Sequence, residues 1–159
     1  VNLEQRVATL EKRLTRLEAM EDIRSVIVTY ARALDEGRPE LLEGIFTDDA
    51  MLHTTPWGKP THGKGKVIEA FRNYMERFKS PRRYFTNEVI EIDGESAEAF
   101  SYWIVTQQRE GNSIIGWGTY RWNFIKEGGR WMISRFLIDI LTMTTLERGW
   151  AGEEVIMPY

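Results

Sequence analysis

The chain has 159 residues, a formal net charge of −3, no cysteine, and an aromatic complement of six Trp, six Tyr and seven Phe. That length holds one domain with a short appendage; the absence of a basic block argues against nucleic acid or anionic membrane as partners, and the absence of thiols excludes disulfides, thiol nucleophiles and thiolate metal sites. No apolar run approaches the roughly 20 residues of a membrane span, and the charged N-terminus is no signal peptide, so a cytoplasmic protein is expected, its start at Val1 reflecting a removed Met or a trimmed chain.

"VNLEQRVATLEKRLTRLEAM" opens the chain with apolar residues at Leu3, Val7, Leu10, Leu14 and Leu17. These alternating steps of four and three make a helical heptad seam, with Asn2 as N-cap and Gln5 as its capping-box partner. The seam needs a neighbour, either the chain's own domain or another subunit. The stripe resumes at Met20, Ile23, Ile27, Tyr30 and Leu34 after two three-residue steps, so the second segment buries its face against a different surface. Asp35 and Glu36 end this helix and Gly37 supplies the stop signal. "PELLEGIF" gives one short helix.

"DDAMLHTT" is the first strand, and "GKGKVIEAFRNYMERFK" a further helix with Val67, Ile68, Phe71, Tyr74, Met75 and Phe78 at helical spacing. The period then changes to that of strands. "RRYFTNEVIEI", "SAEAFSYWIVTQQ", "SIIGWGTYRWNFIK" and "RWMISRFLIDILTM" are β-branched and aromatic, separated by the hairpin turns "DGE", "REGN" and "EGG". Helices followed by a meander of antiparallel strands mean an α+β fold with helices on one face of a curved sheet. The divisions expected are a helical arm over residues 1–18, a body over 19–145 and a tail over 146–159 that lies on the body.

"EDIRSVIVTYARALDEGRPELLEGIFTDDAML", "THGKGKVIEAF" and "GTYRWNFIKEGGRWMISRF" together resemble the SnoaL-like branch of the nuclear transport factor 2-like superfamily, over roughly residues 19 to 142. The arm and the run into Tyr30 look most like bile acid 7α-dehydratases, with scytalone dehydratase and dehydrochlorinase relatives beside them. The resemblance implies a cone-shaped α+β barrel, a strongly bent antiparallel sheet wrapped around the N-terminal helices, with an apolar pocket inside. It implies a lyase using an Asp–His pair assisted by a Tyr. By position the Asp is Asp35 and the Tyr is Tyr30, but Arg83 stands where the His would be, and Arg does not release a proton near neutral pH.

Each candidate has a plain alternative. Asp35 follows Ile27 and Ala31 at steps of four; it serves as a general base beside a pocket, or is a solvated acid paired with Arg32. Tyr30 lies about 140° from it around the helix and assists, or is a core aromatic. Arg83 anchors an anion or stabilises charge developing on an oxygen, points to water, or pairs with Asp35. The inward face that the resemblance implies comprises Leu52, Thr54, Phe85, Asn87, Tyr102, Ile104, Thr106, Tyr120, Trp122, Phe136, Ile138 and Ile140. Trp103, Val105 and Trp117 then fall on the outer face, which needs cover. His53 and His62 have no metal-ligand spacing around them.

The expected function is a cofactor-independent lyase or isomerase, dehydratase-like, acting on a hydrophobic ring-containing molecule, with catalytic Asp35, Tyr30 and Arg83 and no metal. The alternative is a non-catalytic binding protein, or a scaffold like an oxygenase β-subunit. A homo-oligomer is expected, a trimer before a dimer.

Overall fold

The computed structural model describes residues 2–151. The elements run α1 (Leu3–Asp35), a 3₁₀ turn (Pro39–Leu42), β1 (Phe46–Thr55), β2 (Thr61–His62), α2 (Lys64–Arg77), β3 (Lys79–Asp93), β4 (Ser96–Arg109), β5 (Asn112–Glu127) and β6 (Arg130–Thr145). This is the order the periodicities predict, apart from the two-residue β2.

Helix α1 starts on the expected capping box: the Asn2 side chain accepts from the Gln5 N–H at 2.8 Å, and the Gln5 side chain accepts from the Asn2 N–H at 3.2 Å. Its 33 residues form one helix with two environments. Leu3, Val7, Leu10, Leu14 and Leu17 are all exposed, Leu3 by 75%, whereas Ile23, Ile27, Tyr30 and Leu34 are buried. The change of stripe at residue 20 therefore marks where the helix enters the body. Among the described residues the seam packs on no part of its own domain. Gly37, at φ +65°, turns the chain away after the helix, a conformation that favours glycine.

The sheet has six strands in the order β2-β1-β6-β5-β4-β3. Strands β3 to β6 form the expected antiparallel meander. Strand β1 instead runs parallel to β6, so the sheet is mixed rather than wholly antiparallel. The β4–β5 and β5–β6 hairpins turn on Glu110–Gly111 and Gly128–Gly129, all at positive φ, which is the two-residue geometry that matches strand twist. Gly118 is required by a close approach. A Cβ there would lie 1.8 Å from the Asp139 carbonyl oxygen, at the bulge where the β5–β6 register shifts.

The concave face wraps α1 and α2. At one end Trp122 stacks on Phe136 at 5.2 Å and 5°, and Phe136 stacks on Phe71 and Phe46. That end is filled. Toward α2 the aromatic packing gives way to a cavity. The beginning of the tail is held by Thr144 Oγ1 donating to the Gly149 carbonyl at 2.8 Å and by Trp150 standing edge-on to Trp117 at 5.4 Å; residues 152–159 lie outside the described residues. Among the described residues no helix is long and apolar enough to cross a membrane.

Candidate active site

A cavity of about 230 Å³ lies between α1, α2 and the inner sheet face. Leu34, Leu52, Phe71, Val105, Ile138 and Ile140 contribute apolar wall, and Trp57 and Ala70 lie along it toward the opening. Its polar groups gather on one side: Tyr30 from α1, Tyr74 from α2, Arg83 from β3, Gln107 from β4 and Tyr120 from β5.

These groups are wired together. Arg83 Nη2 donates to the Tyr74 hydroxyl at 2.9 Å, and the Tyr74 hydroxyl donates to Gln107 Oε1 at 2.5 Å. The Tyr30 and Tyr120 hydroxyls share a hydrogen bond of 2.9 Å. The Arg83 guanidinium also stands 5.3 Å from the Tyr74 ring centre and 5.8 Å from that of Tyr30, within the range of cation–π attraction.

Asp35 is held, not solvated. Its Oδ1 accepts from Arg83 Nε at 2.8 Å and its Oδ2 from the Arg83 backbone N–H at 3.0 Å. The side chains are 16% and 6% exposed respectively. Arg82 adds a second clamp, Nη1 donating to the Asp35 backbone carbonyl at 3.1 Å, which satisfies an orphan acceptor at the helix end. Arg32 pairs with Glu36 instead of Asp35. Arg83 faces both ways: Asp35 lies on its far side, lining an outer groove with Ile27, Ala31, Arg82 and Glu88, and does not line the cavity. Tyr30 and Asp35 thus flank Arg83 from different sides instead of sharing one space.

Burial decides the protonation states. It raises Tyr30 well above the ordinary phenol value, the neighbouring Tyr120 adding to this and Arg83 opposing it. Tyr120 is pushed up to about 12, again mainly by burial, and Tyr74 is raised for the same reason. For Arg83 burial works against the charge, but the phenols of Tyr74, Tyr30 and Tyr120 and the Asp35 carboxylate outweigh it, and its pKa lies above the ordinary arginine value. Near neutral pH the polar side therefore presents three neutral phenols and one cation. All four are hydrogen-bond donors, and none is a base.

Of the expected inward residues, Leu52, Thr54, Tyr120, Ile138 and Ile140 line the cavity. Trp122 and Phe136 lie beneath it in the filled end, and Phe85 packs edge-on to Tyr120 at 5.1 Å and lines the outer groove. Asn87 is exposed at φ +55° within an irregular part of β3, so it does not reach the cavity. On β4 the expectation is reversed. Tyr102, Ile104 and Thr106 face outward, Tyr102 being 46% exposed, while Trp103, Val105 and Gln107 face in. Because side chains alternate, an error of one residue moves the whole set to the other face. Sequence reasoning missed Tyr74, Gln107 and Trp103 as cavity residues. His53 and His62 stand outside the cavity lining, and among the described residues no three His, Asp or Glu side chains are grouped to hold a metal ion.

This architecture is shared with solved structures. A hexachlorocyclohexane dehydrochlorinase (LinA type 2) superposes with a TM-score of 0.79 at 19% identity, over 92% of this chain and 98% of that one. A protein assigned as a scytalone dehydratase from Novosphingobium aromaticivorans DSM 12444 gives 0.75 at 20% identity, over 82% and 89%. A protein of unknown function with a cystatin-like fold from Nostoc punctiforme PCC 73102 gives 0.67 at 21% identity, over 76% and 90%. No curated protein matches the sequence. The SnoaL-like domain model matches residues 15–136, most of the chain and every element from the body half of α1 into β6, so the chain belongs to the SnoaL-like family.

Proposed function

We propose that the chain is a cofactor-independent lyase or isomerase, of the dehydratase type, acting on a hydrophobic ring-containing small molecule in the cavity. One observation carries the reading: the Tyr30, Tyr74 and Tyr120 phenols and the Arg83 guanidinium lie together in the wall of a largely apolar cavity. Oriented donors in a site of low dielectric stabilise negative charge as it develops on an oxygen, and this is commonly a large part of catalysis. In this scheme Arg83 holds the emerging anion and Tyr30, with Tyr120 behind it, donates a hydrogen bond. Asp35 removes a proton next to a carbonyl or leaving group. Asp35 stands behind Arg83 with both oxygens bonded, so this step requires Arg83 to leave Oδ1 before the proton is removed. The dehydratase and dehydrochlorinase names among the structural neighbours are in keeping with this class of reaction.

The test starts from ring compounds retained in native mass spectrometry and follows their conversion. Asp35→Asn keeps the shape of the side chain and removes the base, so kcat/KM falls by orders of magnitude on a converted compound. An unchanged rate ends the assignment of Asp35.

A second reading, a non-catalytic binding protein or oxygenase β-subunit-like scaffold, is favoured by the position of Asp35 behind Arg83 with both oxygens occupied. It predicts that ring compounds bind and none is converted. In either reading we propose a cytoplasmic homo-oligomer, a trimer before a dimer. The support is the exposed heptad seam of α1 and the outward Tyr84, Tyr102 and Ile104 of the sheet, apolar surface of the kind that marks interfaces.

A further inference from the structure

The cavity has an imbalance of charge. The charged side chains that line it are Arg77 and Arg83, with no carboxylate among them. Asp35 neutralises Arg83 from behind, through Nε and the backbone N–H. The pair therefore points its positive end into the cavity. Nη2 bonds the Tyr74 hydroxyl, and Nη1 has no hydrogen-bond partner among the described residues. Arg77, on the last turn of α2, is exposed at the opening and forms no ion pair among the described residues.

Trp103 adds an independent observation. Its side chain forms cavity wall, the residue is 6% exposed, and its indole N–H is buried with no acceptor. A buried donor left unpaired is costly, and native structures seldom leave one without a reason. Arg83 pairs with Val105 in the β3–β4 ladder and Phe85 with Trp103, so Trp103 and Arg83 are diagonal neighbours on the inner face, roughly 7–8 Å apart by the usual sheet geometry. The acceptors on the lining are the Thr54 and tyrosine hydroxyls and the Gln107 and Asn73 amides, none of them charged. The Gln107 carbonyl already accepts from Tyr74, and Asn73 stands exposed at the rim.

We propose that the ring compound this cavity takes carries a carboxylate, received by the Trp103 N–H and the free edge of Arg83, and that Arg77 draws the anion in at the opening. The proposal rests on the reading of the cavity as a small-molecule site, and not on any turnover. Trp103 and Arg77 are its specificity-determining residues. An anionic oxygen supplies the acceptor that the Trp103 donor lacks, and a positive opening raises the association rate in a salt-dependent way.

The experiment compares 2-naphthoate with 2-naphthalenemethanol, the same fused rings with and without the charge, by calorimetric titration of the full chain. Naphthoate binds at least tenfold tighter. Trp103→Phe removes the N–H and keeps an aromatic, so it erases most of that preference and leaves the alcohol within about threefold. Arg77→Gln, at an exposed position where folding is not at stake, lowers the preference severalfold, and the loss shrinks as salt rises from 20 to 500 mM. Equal affinity for the two probes in the unaltered chain overturns the proposal and leaves the small-molecule reading standing. So does a Trp103→Phe loss equal for both probes, which is a packing effect. Binding of neither probe overturns both.

Discussion

The two ends of the cone interior are built from the same residue types and behave differently. At the β5–β6 centre Trp122, Phe136, Phe71 and Phe46 stack to fill the space. A few residues along the same strands, Tyr120, Ile138 and Ile140 border a cavity of about 230 Å³. The difference lies in polarity. Where the walls are mostly apolar rings, they close on one another. Where Arg83 and three phenols must stay hydrogen-bonded, they bond to each other along the wall and leave the centre open. One end is therefore closed core, and the other leaves room beside its hydrogen-bonded groups.

That contrast is broken most directly by truncation. Phe136→Ala in the filled end is expected to cost about 3–5 kcal/mol, and Ile140→Ala in the cavity wall only about 2, since a side chain already facing empty space has fewer contacts to lose. Urea denaturation of both variants checks the difference. Equal losses would mean that the cavity end is packed as tightly as the rest.

The fold was legible in the sequence because period and turn chemistry agree along nearly the whole chain. The 3.6-residue stripe of α1 and α2 and the period-2 strands between glycine turns leave few topologies open. What could not be read was the face of β4, because "SYWIVTQQ" carries large residues at both parities: Tyr102 and Ile104 on one face, Trp103 and Val105 on the other. The missing signal was the turn. Arg109 pairs with Asn112 across Glu110–Gly111, and counting outward puts Ser101 opposite Tyr120, so an inward Tyr120 requires inward Trp103, Val105 and Gln107. Asp35, Tyr30 and Arg83 were named from the resemblance, and of these Tyr30 and Arg83 line the cavity while Asp35 lies outside it; Tyr74 and Gln107, bonded to each other across 33 residues, leave no local pattern.

The Asp35–Arg83 pair separates the cavity from the outer groove, and removing one partner sharpens the comparison. Asp35→Ala leaves a buried guanidinium unpaired, at a cost of about 3 kcal/mol, the lower end for buried pairs because Asp35 keeps some exposure. The double variant Asp35→Ala with Arg83→Met, which leaves no charge behind, recovers most of it. Thermal melts of the two single variants and the double form a cycle, and a double variant as unstable as Asp35→Ala alone would show that the pair's charge is not what matters.

Alkaline pH acts on the buried phenols of the polar end. Tyr120 has its folded-state pKa raised to about 12 by burial, above the ordinary phenol value of about 10. Its contribution is fully present below pH 10 and is lost as pH rises toward 12, because the unfolded chain gives up the proton first. The loss is on the order of 2 kcal/mol, with Tyr30 and Tyr74 acting in the same direction. Absorbance at 295 nm is expected to show the buried phenols titrating only as the chain unfolds. A single transition near pH 10 with the fold intact would show the buried cluster to be open to solvent.

The smallest effect on stability belongs to the arm, and it carries the largest effect on mass. Residues 3–17 leave Leu3, Leu10, Leu14 and Leu17 more than half exposed, so deleting residues 1–17 removes almost no contact from the body. A subunit's own stability then changes by under about 1 kcal/mol, in the range of surface substitutions away from packed sites. The seam has about two heptads, fewer than an independent coiled coil wants. If it packs at all, it packs with help, and the outward face around Tyr84, Tyr102 and Ile104 is the surface that supplies it. Closed symmetric assemblies are the commonest way to cover such surfaces. Light scattering is therefore expected to give a trimer mass for the full chain and a smaller or concentration-dependent mass for the shortened one. A full chain that runs as a monomer at micromolar concentration would refute the assembly. An unchanged trimer after deletion would assign it to the sheet face alone.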